Sequence, residues 1–290
     1  MFSSLPSIKI ALKCFTQLDQ SKQEDIMVKK SIIALMLVGL AVLVHSGPSE
    51  EVVVKNMKDI KDLDVKQITW GKDGAKMVLI PAQSFNKEIF DQIRSLVPSE
   101  IFETSGAVYM DCTEVTVGQF KKFLQSTDYK FDGDLWGKIS KYSPTDRHPM
   151  IYVTWNDAVA YAKWTGKRLT TEVEWEYAAR GGLINKEYSW GNDKNIARDN
   201  ANYKGTSGKD KWKYASPVGS FQANGYGLYD MVGNVSEWCD DWYGDTRTSR
   251  VLRGGFWAFS IFGLSLADRY HKDPDDSYYY CGFRCVVDMQ

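Results

Sequence analysis

The spacing of apolar and polar residues predicts a strand and then helices in the first half of the chain. An apolar run that ends in proline, Met77 to Pro81, is typical of a short strand. From Thr116 onward apolar residues recur every three or four positions, while Lys121 and Lys122 fall on the opposite face. This period predicts an amphipathic helix that packs with one face against a core.

Start and stop signals mark two further helices. Thr154 precedes an apolar stripe that ends at Gly166, so the threonine is predicted to cap the helix and the glycine to end it. Thr171 and Glu174 have the spacing of a capping box, and the glycine pair at 181–182 ends that helix. Beyond this pair helical periodicity fades, and short runs rich in Gly, Asn, Asp, Trp and Tyr predict loops and short strands.

The N-terminal part is predicted to direct export. Two lysines at 29–30 precede an apolar run of 13 residues from Ile32 to Val44, which is too short to span about 30 Å of hydrocarbon. This pattern is typical of a signal peptide cleaved before Gly47; the alternative is a buried helix. The predicted location is therefore the periplasm or the cell surface, and any membrane association is expected to be peripheral or at the surface.

Three segments follow from this interpretation. Residues 1–46 are an N-terminal extension with the signal peptide, and residues 47–67 alternate acidic and basic side chains as a tether would. Residues 68–290 are then expected to form one domain, whose length suffices for a sizeable core.

Charge and residue counts exclude several classes of function. The chain has 36 lysines and arginines against 37 acidic residues, so no basic surface is predicted to bind nucleic acid. Three histidines, at 45, 148 and 271, would all be needed for a three-histidine metal centre. Outside the signal region four cysteines occur without a C-x-x-C pair, which favours structural or buried thiols over a zinc site.

Five motifs in the second half resemble those of the formylglycine-generating-enzyme, or sulfatase-modifying-factor, domain. They occur in that domain's order and spacing, and the resemblance covers roughly residues 68–288. The motifs are KRLTTEVEWEYAARGG (167–182), YSWGND (188–193), GLYDMVGNVSEWCDDWY (227–243), RVLRGGFW (250–257) and CGFRCV (281–286). The resemblance implies an α+β domain with a C-type lectin-like fold and little regular secondary structure.

The same resemblance bears on catalysis. Oxidising members of that family carry two redox-active cysteines between the RGG and GFR motifs, where thiolates bind copper. Residues 256–280 contain no cysteine. Because a thiolate mechanism needs an accessible sulfur with a low pKa, the protein is expected not to be an enzyme. The alternative is an exported oxidoreductase or a structural member of the superfamily.

The C-terminal segment 256–281 resembles the variable region of proteins diversified by retroelements. Family frame residues hold at Arg253, Trp257, Arg269 and Arg284, and these are expected to be structural. Where the family usually has asparagine, this chain mostly has Tyr, Phe, Ser, Asp or Gly, which, as in antibody paratopes, provide rigid and adaptable contacts. The implied function is an exported binder of an unknown protein or glycan ligand, acting as a monomer; the alternative places the aromatics in the core. The predicted ligand face comprises Phe256, Ala258, Phe259, Ser260, Asp268, Tyr270, His271, Tyr278, Tyr279 and Tyr280.

Family members also bind structural calcium through loop oxygens, and matching positions occur here. One site would use the side chains of Asn202 and Asp210 with the carbonyls of Tyr203 and Trp212; Lys211 lies beside it. Hard oxygen ligands at irregular spacing suit calcium. The alternative is that these polar side chains only cap turns.

A second calcium site is implied in the motif DMVGNVSE. It would use the side chains of Asp230 and Glu237 with the carbonyls of Gly233 and Val235. The resemblance further implies that Cys239 and Cys285 lie close enough to form a disulfide; two buried reduced thiols are the alternative.

Overall fold

The structure, a computed structural model, describes residues 51–60, 63, 65–82 and 106–289. The predicted extension and signal peptide at 1–46 lie outside these residues. Within the described part no helix is long and apolar enough to cross a membrane.

Short strands and five helices build the described domain, as the sequence pattern predicts for an α+β protein. The strands are β1 (Val53–Val54), β2 (Gln67–Trp70), β3 (Lys76–Ile80), β4 (Val108–Asp111), β5 (Arg168–Leu169), β6 (Ser236–Trp242), β7 (Arg250–Arg253), β8 (Tyr270–Lys272), β9 (Cys281–Gly282) and β10 (Cys285–Asp288). The α-helices are α1 (Val117–Gln125), α2 (Leu135–Tyr142), α3 (Trp155–Thr165), α4 (Glu172–Arg180) and α5 (Ala197–Asn200), with 3₁₀ turns at Met57–Asp59, Lys194–Ile196 and Ile261–Gly263.

The strands form two sheets. The first has the order β1-β2-β3-β4-β10-β5, so the C-terminal strand pairs with β4 and β5. The second has the order β8-β7-β6-β9, and its strands β8 and β9 come from the C-terminal part of the chain. In it β8 lies antiparallel to β7, with His271 opposite Val251.

Part of the predicted tether belongs to the domain. Val54 pairs with Trp70 in parallel strands, and Val54 and Ile60 are 1% and 0% exposed. Their burial in an apolar cluster of the first sheet means that the tether predicted at 47–67 is too long. The run of apolar residues at 52–54 is short and lies among charged residues, so its sequence pattern did not predict a buried strand.

The predicted helix caps are confirmed. Thr116, Thr154 and Thr171 each accept a hydrogen bond from the backbone nitrogen three residues on, and each completes a capping box. Gly166 and Gly181 end α3 and α4 in the left-handed conformation, which glycine adopts without a steric penalty. These local signals fix where α1, α3 and α4 lie in the chain.

Candidate functional site

The frame of the C-terminal segment is anchored by Arg253. Its guanidinium is 0% exposed and donates to Glu172 at 2.6 Å and Glu176 at 2.7 Å, both on α4. Gly254 follows with φ +93° and lies so close to Trp175 that a Cβ would be 3.1 Å from the ring. The RGG motif therefore places the segment against α4 in one position.

Two further arginines complete this frame. Arg269 donates to both carboxylate oxygens of Glu172, at 2.6 and 2.7 Å. Arg284 is fully buried and donates to both oxygens of Glu237, each at 2.7 Å. Arg253 and Arg284 are thus fully buried in ion pairs, in agreement with a structural role, while Arg269 is 22% exposed.

Five predicted ligand residues form two groups of rings, which we together call the aromatic face: Phe259 and Tyr270, and Tyr278, Tyr279 and Tyr280. Phe256 joins the two groups, with its ring centroid 4.2 Å from those of both Phe259 and Tyr280. Ring centroids lie 5.0 Å apart between Phe259 and Tyr270 and 5.3 Å apart between Tyr278 and Tyr280. Tyr279 meets Tyr280 edge-on at 5.1 Å. All five side chains are half-buried, so each presents one part to solvent and rests the other on its neighbours.

A cleft of about 260 Å³ opens beside the aromatic face. Phe259, Tyr270 and Tyr280 line one part of it, and His271, stacked on Tyr243 at 4.1 Å, lines another. Burial raises the pKa of the Tyr270 and Tyr280 phenols, so both stay neutral hydrogen-bonding groups near neutral pH. The cleft thus combines the apolar surfaces of aromatic rings with the hydroxyl groups of Tyr270 and Tyr280 and the imidazole of His271.

Four predicted ligand residues contribute less directly to this surface. Phe256 is 6% exposed and supports the rings from below, so its assignment to the ligand face is wrong. Ala258 and Ser260 lie in the turn that precedes the 3₁₀ turn, and Ser260 is exposed. Asp268 accepts a hydrogen bond from the Tyr270 hydroxyl at 3.3 Å and so orients that ring.

Several residues beside this surface were missed, two of them from elsewhere in the chain. Tyr142 on α2 stacks on Tyr279 at 5.4 Å, and Tyr214 meets Trp257 at 5.1 Å. Lys272 lines the cleft with its ammonium 4.5 Å from the centre of the Tyr278 ring. No local signal could have found Tyr142 or Tyr214, because they reach the segment only through the tertiary fold.

The first predicted calcium site contains a guanidinium instead of an open position. Arg198 donates to the Tyr203 carbonyl at 2.9 Å and to Asp210 Oδ2 at 2.7 Å, two of the four predicted ligands. Asn202 is buried, and its amide nitrogen donates to the Tyr214 carbonyl at 2.8 Å. The Trp212 backbone nitrogen, 3.4 Å from Asp210 Oδ1, caps the same carboxylate. Asn202 Oδ1 is buried without a hydrogen-bond partner among the described residues, but the guanidinium takes the Tyr203 and Asp210 oxygens, so the set does not fit a calcium ion while Arg198 is in this position.

The second predicted site has excess negative charge. Asp230 Oδ2 accepts from the Gly219 nitrogen at 2.6 Å, while Glu237 is held by Arg284. Glu114 lies in the same buried region, and its Oε2 has no hydrogen-bond partner in the described part of the chain. Burial, reinforced by Asp230 and Glu237, raises the Glu114 pKa well above its usual range, and burial raises the Asp230 pKa to about 6.

The four described cysteines are buried free thiols, so the disulfide between Cys239 and Cys285 is absent from the structure. Thr170 donates to Cys239 at 3.8 Å, while Cys285 lies on β10 opposite Leu169. Burial raises the pKa of all four thiols, to about 11 for Cys112. No accessible low-pKa thiol is found among the described residues.

Comparison with known proteins identifies the family of the described domain. Residues 66–289 match the sulfatase-modifying factor enzyme 1-like domain. The chain belongs to this family. It is 42% identical to the formylglycine-generating enzyme of Thermomonospora curvata over 179 residues, which are 50% of this chain and 58% of that enzyme. It is 34% identical to the mouse formylglycine-generating enzyme over 281 residues, covering 73% of this chain and 75% of the relative.

Solved structures agree with the predicted fold of this sulfatase-modifying-factor domain. PvdO from Pseudomonas aeruginosa has a TM-score of 0.62 at 26% identity, covering 77% of this chain and 98% of its own. Treponema denticola variable protein 1 has a TM-score of 0.58 at 22% identity, with the same coverage. The α+β, C-type lectin-like fold and the likeness to variable proteins are thus confirmed.

The relatives correct the prediction about catalysis. Four of them, 32–42% identical, are named formylglycine-generating enzyme and point to an enzyme, so the prediction that this family member is not an enzyme is wrong. A bovine relative, 43% identical over 149 residues that are 48% of this chain and 50% of its own, is named inactive C-alpha-formylglycine-generating enzyme 2. The copper site implied by the resemblance does not fit these residues, since segment 256–280 has no cysteine and Cys281 is fully buried.

Proposed function

We propose that the protein binds a protein or glycan ligand at the aromatic face and its cleft. The observation that carries the proposal is the convergence of Phe259, Tyr270 and the three tyrosines at 278–280 on one half-buried surface. Tyrosine is suited to this role because it offers a large amphipathic contact area and has few rotatable bonds to order.

The size of the cleft limits what it holds. About 260 Å³ is less than the roughly 300 to 1,000 Å³ typical of pockets that enclose a whole small molecule. The cleft therefore accommodates a single side chain or sugar ring of a larger ligand, while the rest of that ligand lies across the aromatic face.

Support for a diversified surface comes from the contrast between frame and face. Arg253 and Arg284 form buried ion pairs and Arg269 pairs with the buried Glu172, whereas the replaced asparagine positions are mainly half-buried. A frame held by buried pairs lets surface side chains differ without refolding, which reduces the ordering cost of binding.

Binding to glycan and surface-protein arrays tests the proposal. We expect a ligand whose affinity falls at least tenfold in His271→Ala and in Lys272→Ala, because both side chains line the cleft. Lys122→Ala, an exposed lysine on α1, serves as the matched control and should leave affinity unchanged. Equal affinities in all three variants would place binding elsewhere.

The names of the relatives favour a second candidate, an enzyme that acts in the same cleft. Mass spectrometry of a sulfatase-derived cysteine peptide incubated under air with the protein tests this candidate. Formation of formylglycine that is lost in His271→Ala would support catalysis in the cleft, whereas an unchanged peptide would count against this reaction.

Export and a monomeric state are also proposed. The lysine pair and apolar run at 29–44 support export to the periplasm or cell surface. Cell fractionation and N-terminal sequencing of the mature protein would check both the location and cleavage before Gly47. Light scattering would check the monomeric state.

Calcium is proposed only for the second predicted site. No group of three His, Cys, Asp or Glu side chains in the described ranges is arranged to hold a metal ion, so ligands there must include the carbonyls of Gly233 and Val235. The unpartnered Glu114 oxygen and the excess of carboxylates near Arg284 support a cation beside Asp230. Calorimetric titration of metal-stripped protein tests it, and Asp230→Asn should abolish the calcium signal.

A further inference from the structure

The loop 203–210 wraps around one guanidinium. Arg198 Nη1 donates to the carbonyls of Tyr203 at 2.9 Å and Gly205 at 2.8 Å, and its Nη2 donates to the Lys204 carbonyl. Asp210 Oδ2 completes the set at 2.7 Å. Three consecutive carbonyls and a carboxylate thus point at a single positive group, an oxygen arrangement that otherwise suits a hard cation.

The loop packs closely against the Arg198 guanidinium. Gly205 has φ +98°, and a Cβ there would lie 2.9 Å from the Arg198 guanidinium. The guanidinium also lies 3.5 Å from the centre of the Tyr203 ring, and the Arg198 side chain is 22% exposed. The Asp210 side chain is 0% exposed, which makes its charge depend on this partner.

Calcium binding at these oxygens would require the arginine to leave. A calcium ion lies about 2.3 to 2.6 Å from each of six to eight oxygens, and here Tyr203 and Asp210 already direct theirs to the guanidinium. Arginine keeps its charge at any physiological pH, so the positive group is permanent.

We infer that Arg198 replaces a calcium ion in this loop and holds residues 203–210 in place without metal. The loop carries Asp210 and leads into Tyr214, whose ring packs on Trp257 in the C-terminal segment. The contact between Tyr214 and Trp257 therefore does not require calcium in the loop 203–210. This inference does not depend on the proposed ligand or reaction.

The test compares four metal-stripped proteins: wild type, Arg198→Met, Asp210→Asn and the double variant. Thermal unfolding is followed with and without calcium, and terbium luminescence sensitised by Trp212 reports a lanthanide in the loop. We expect calcium to change the melting temperatures of wild type and Asp210→Asn by the same amount, because any change comes from calcium at the predicted site beside Asp230. Arg198→Met should melt several degrees lower without metal and regain stability with calcium, a gain that the double variant loses.

Two results would overturn the inference. One is a calcium or terbium response of the wild-type protein that Asp210→Asn abolishes; this comparison is valid even if Arg198→Met fails to fold. The other is a folded Arg198→Met protein that calcium leaves unchanged. Arg147→Met, which removes an exposed arginine, is the control and should match wild type throughout.

Discussion

Phe256 lies beneath Tyr280, with ring centroids 4.2 Å apart and ring planes inclined by 17°. Both positions belong to the segment predicted to vary, yet one is 6% exposed and the other is half-buried. The surface therefore has a fixed layer under a contact layer. A residue in the lower layer acts on the ligand only through the ring above it.

This layering predicts that Phe256→Ala lowers the free energy of unfolding by about 3 kcal/mol, since truncating a buried aromatic leaves a cavity. Ser260→Ala, four residues on and exposed, should change it by less than about 0.5 kcal/mol. Urea unfolding of the two variants checks the difference. Equal stabilities would mean that Phe256 is not part of the core.

The three tyrosines at 278–280 are predicted to contribute to stability as well as to binding. Tyr278 and Tyr280 pack against the main core cluster, and Tyr279 stacks on Tyr142. Replacing all three by serine should lower the melting temperature by at least several degrees, contrary to a purely exposed role. Differential scanning calorimetry checks this, and an unchanged melting temperature would restore the exposed assignment.

Arg253→Met is predicted to cost about 3 kcal/mol, because it removes the fully buried cation between Glu172 and Glu176. Lys121→Met provides the control for an exposed ion pair: this side chain is 44% exposed and pairs with Asp146, which is 66% exposed, so the loss should be below about 1 kcal/mol. Chemical unfolding at fixed pH measures both. A small cost at Arg253 would contradict its role as the anchor of the RGG turn.

The carboxyl of Asp230 predicts an unusual pH dependence. Burial raises its pKa from 3.8 to about 6, so between these values the folded state holds a proton that the unfolded state has released. The contribution of Asp230 to stability is therefore present at low pH and is lost as pH rises from about 4 to 6. In metal-stripped protein, the free energy of unfolding should fall less steeply from about pH 4 to 6 in Asp230→Asn than in wild type. The same pH dependence in both proteins would contradict the raised pKa of Asp230.

The four described thiols are predicted to resist modification in the native protein. Each is buried, and burial raises each pKa, so the reactive thiolate is scarce. Ellman's reagent should react slowly with these positions in native protein and rapidly after unfolding without reductant. A missing pair of thiols after unfolding would instead indicate a disulfide in the sample.

The sequence by itself determined the starts of three of the five described helices, α1, α3 and α4, and the family. Thr116, Thr154 and Thr171 cap helices through hydrogen bonds that span three residues, so the information is local. The motifs also located the frame, because the arginines at 253 and 284 need carboxylates that the family's spacing supplies.

Tertiary structure alone decided which aromatic residues share a surface and which cation fills the loop at 203–210. Tyr142 and Tyr279 are far apart in the chain, and only packing brings their rings to 5.4 Å. The partner of Asp210 was equally hidden, since a carboxylate in a loop suits calcium or a guanidinium alike. The partner became visible only once the structure showed the loop 203–210 folded back onto Arg198 at the short helix α5.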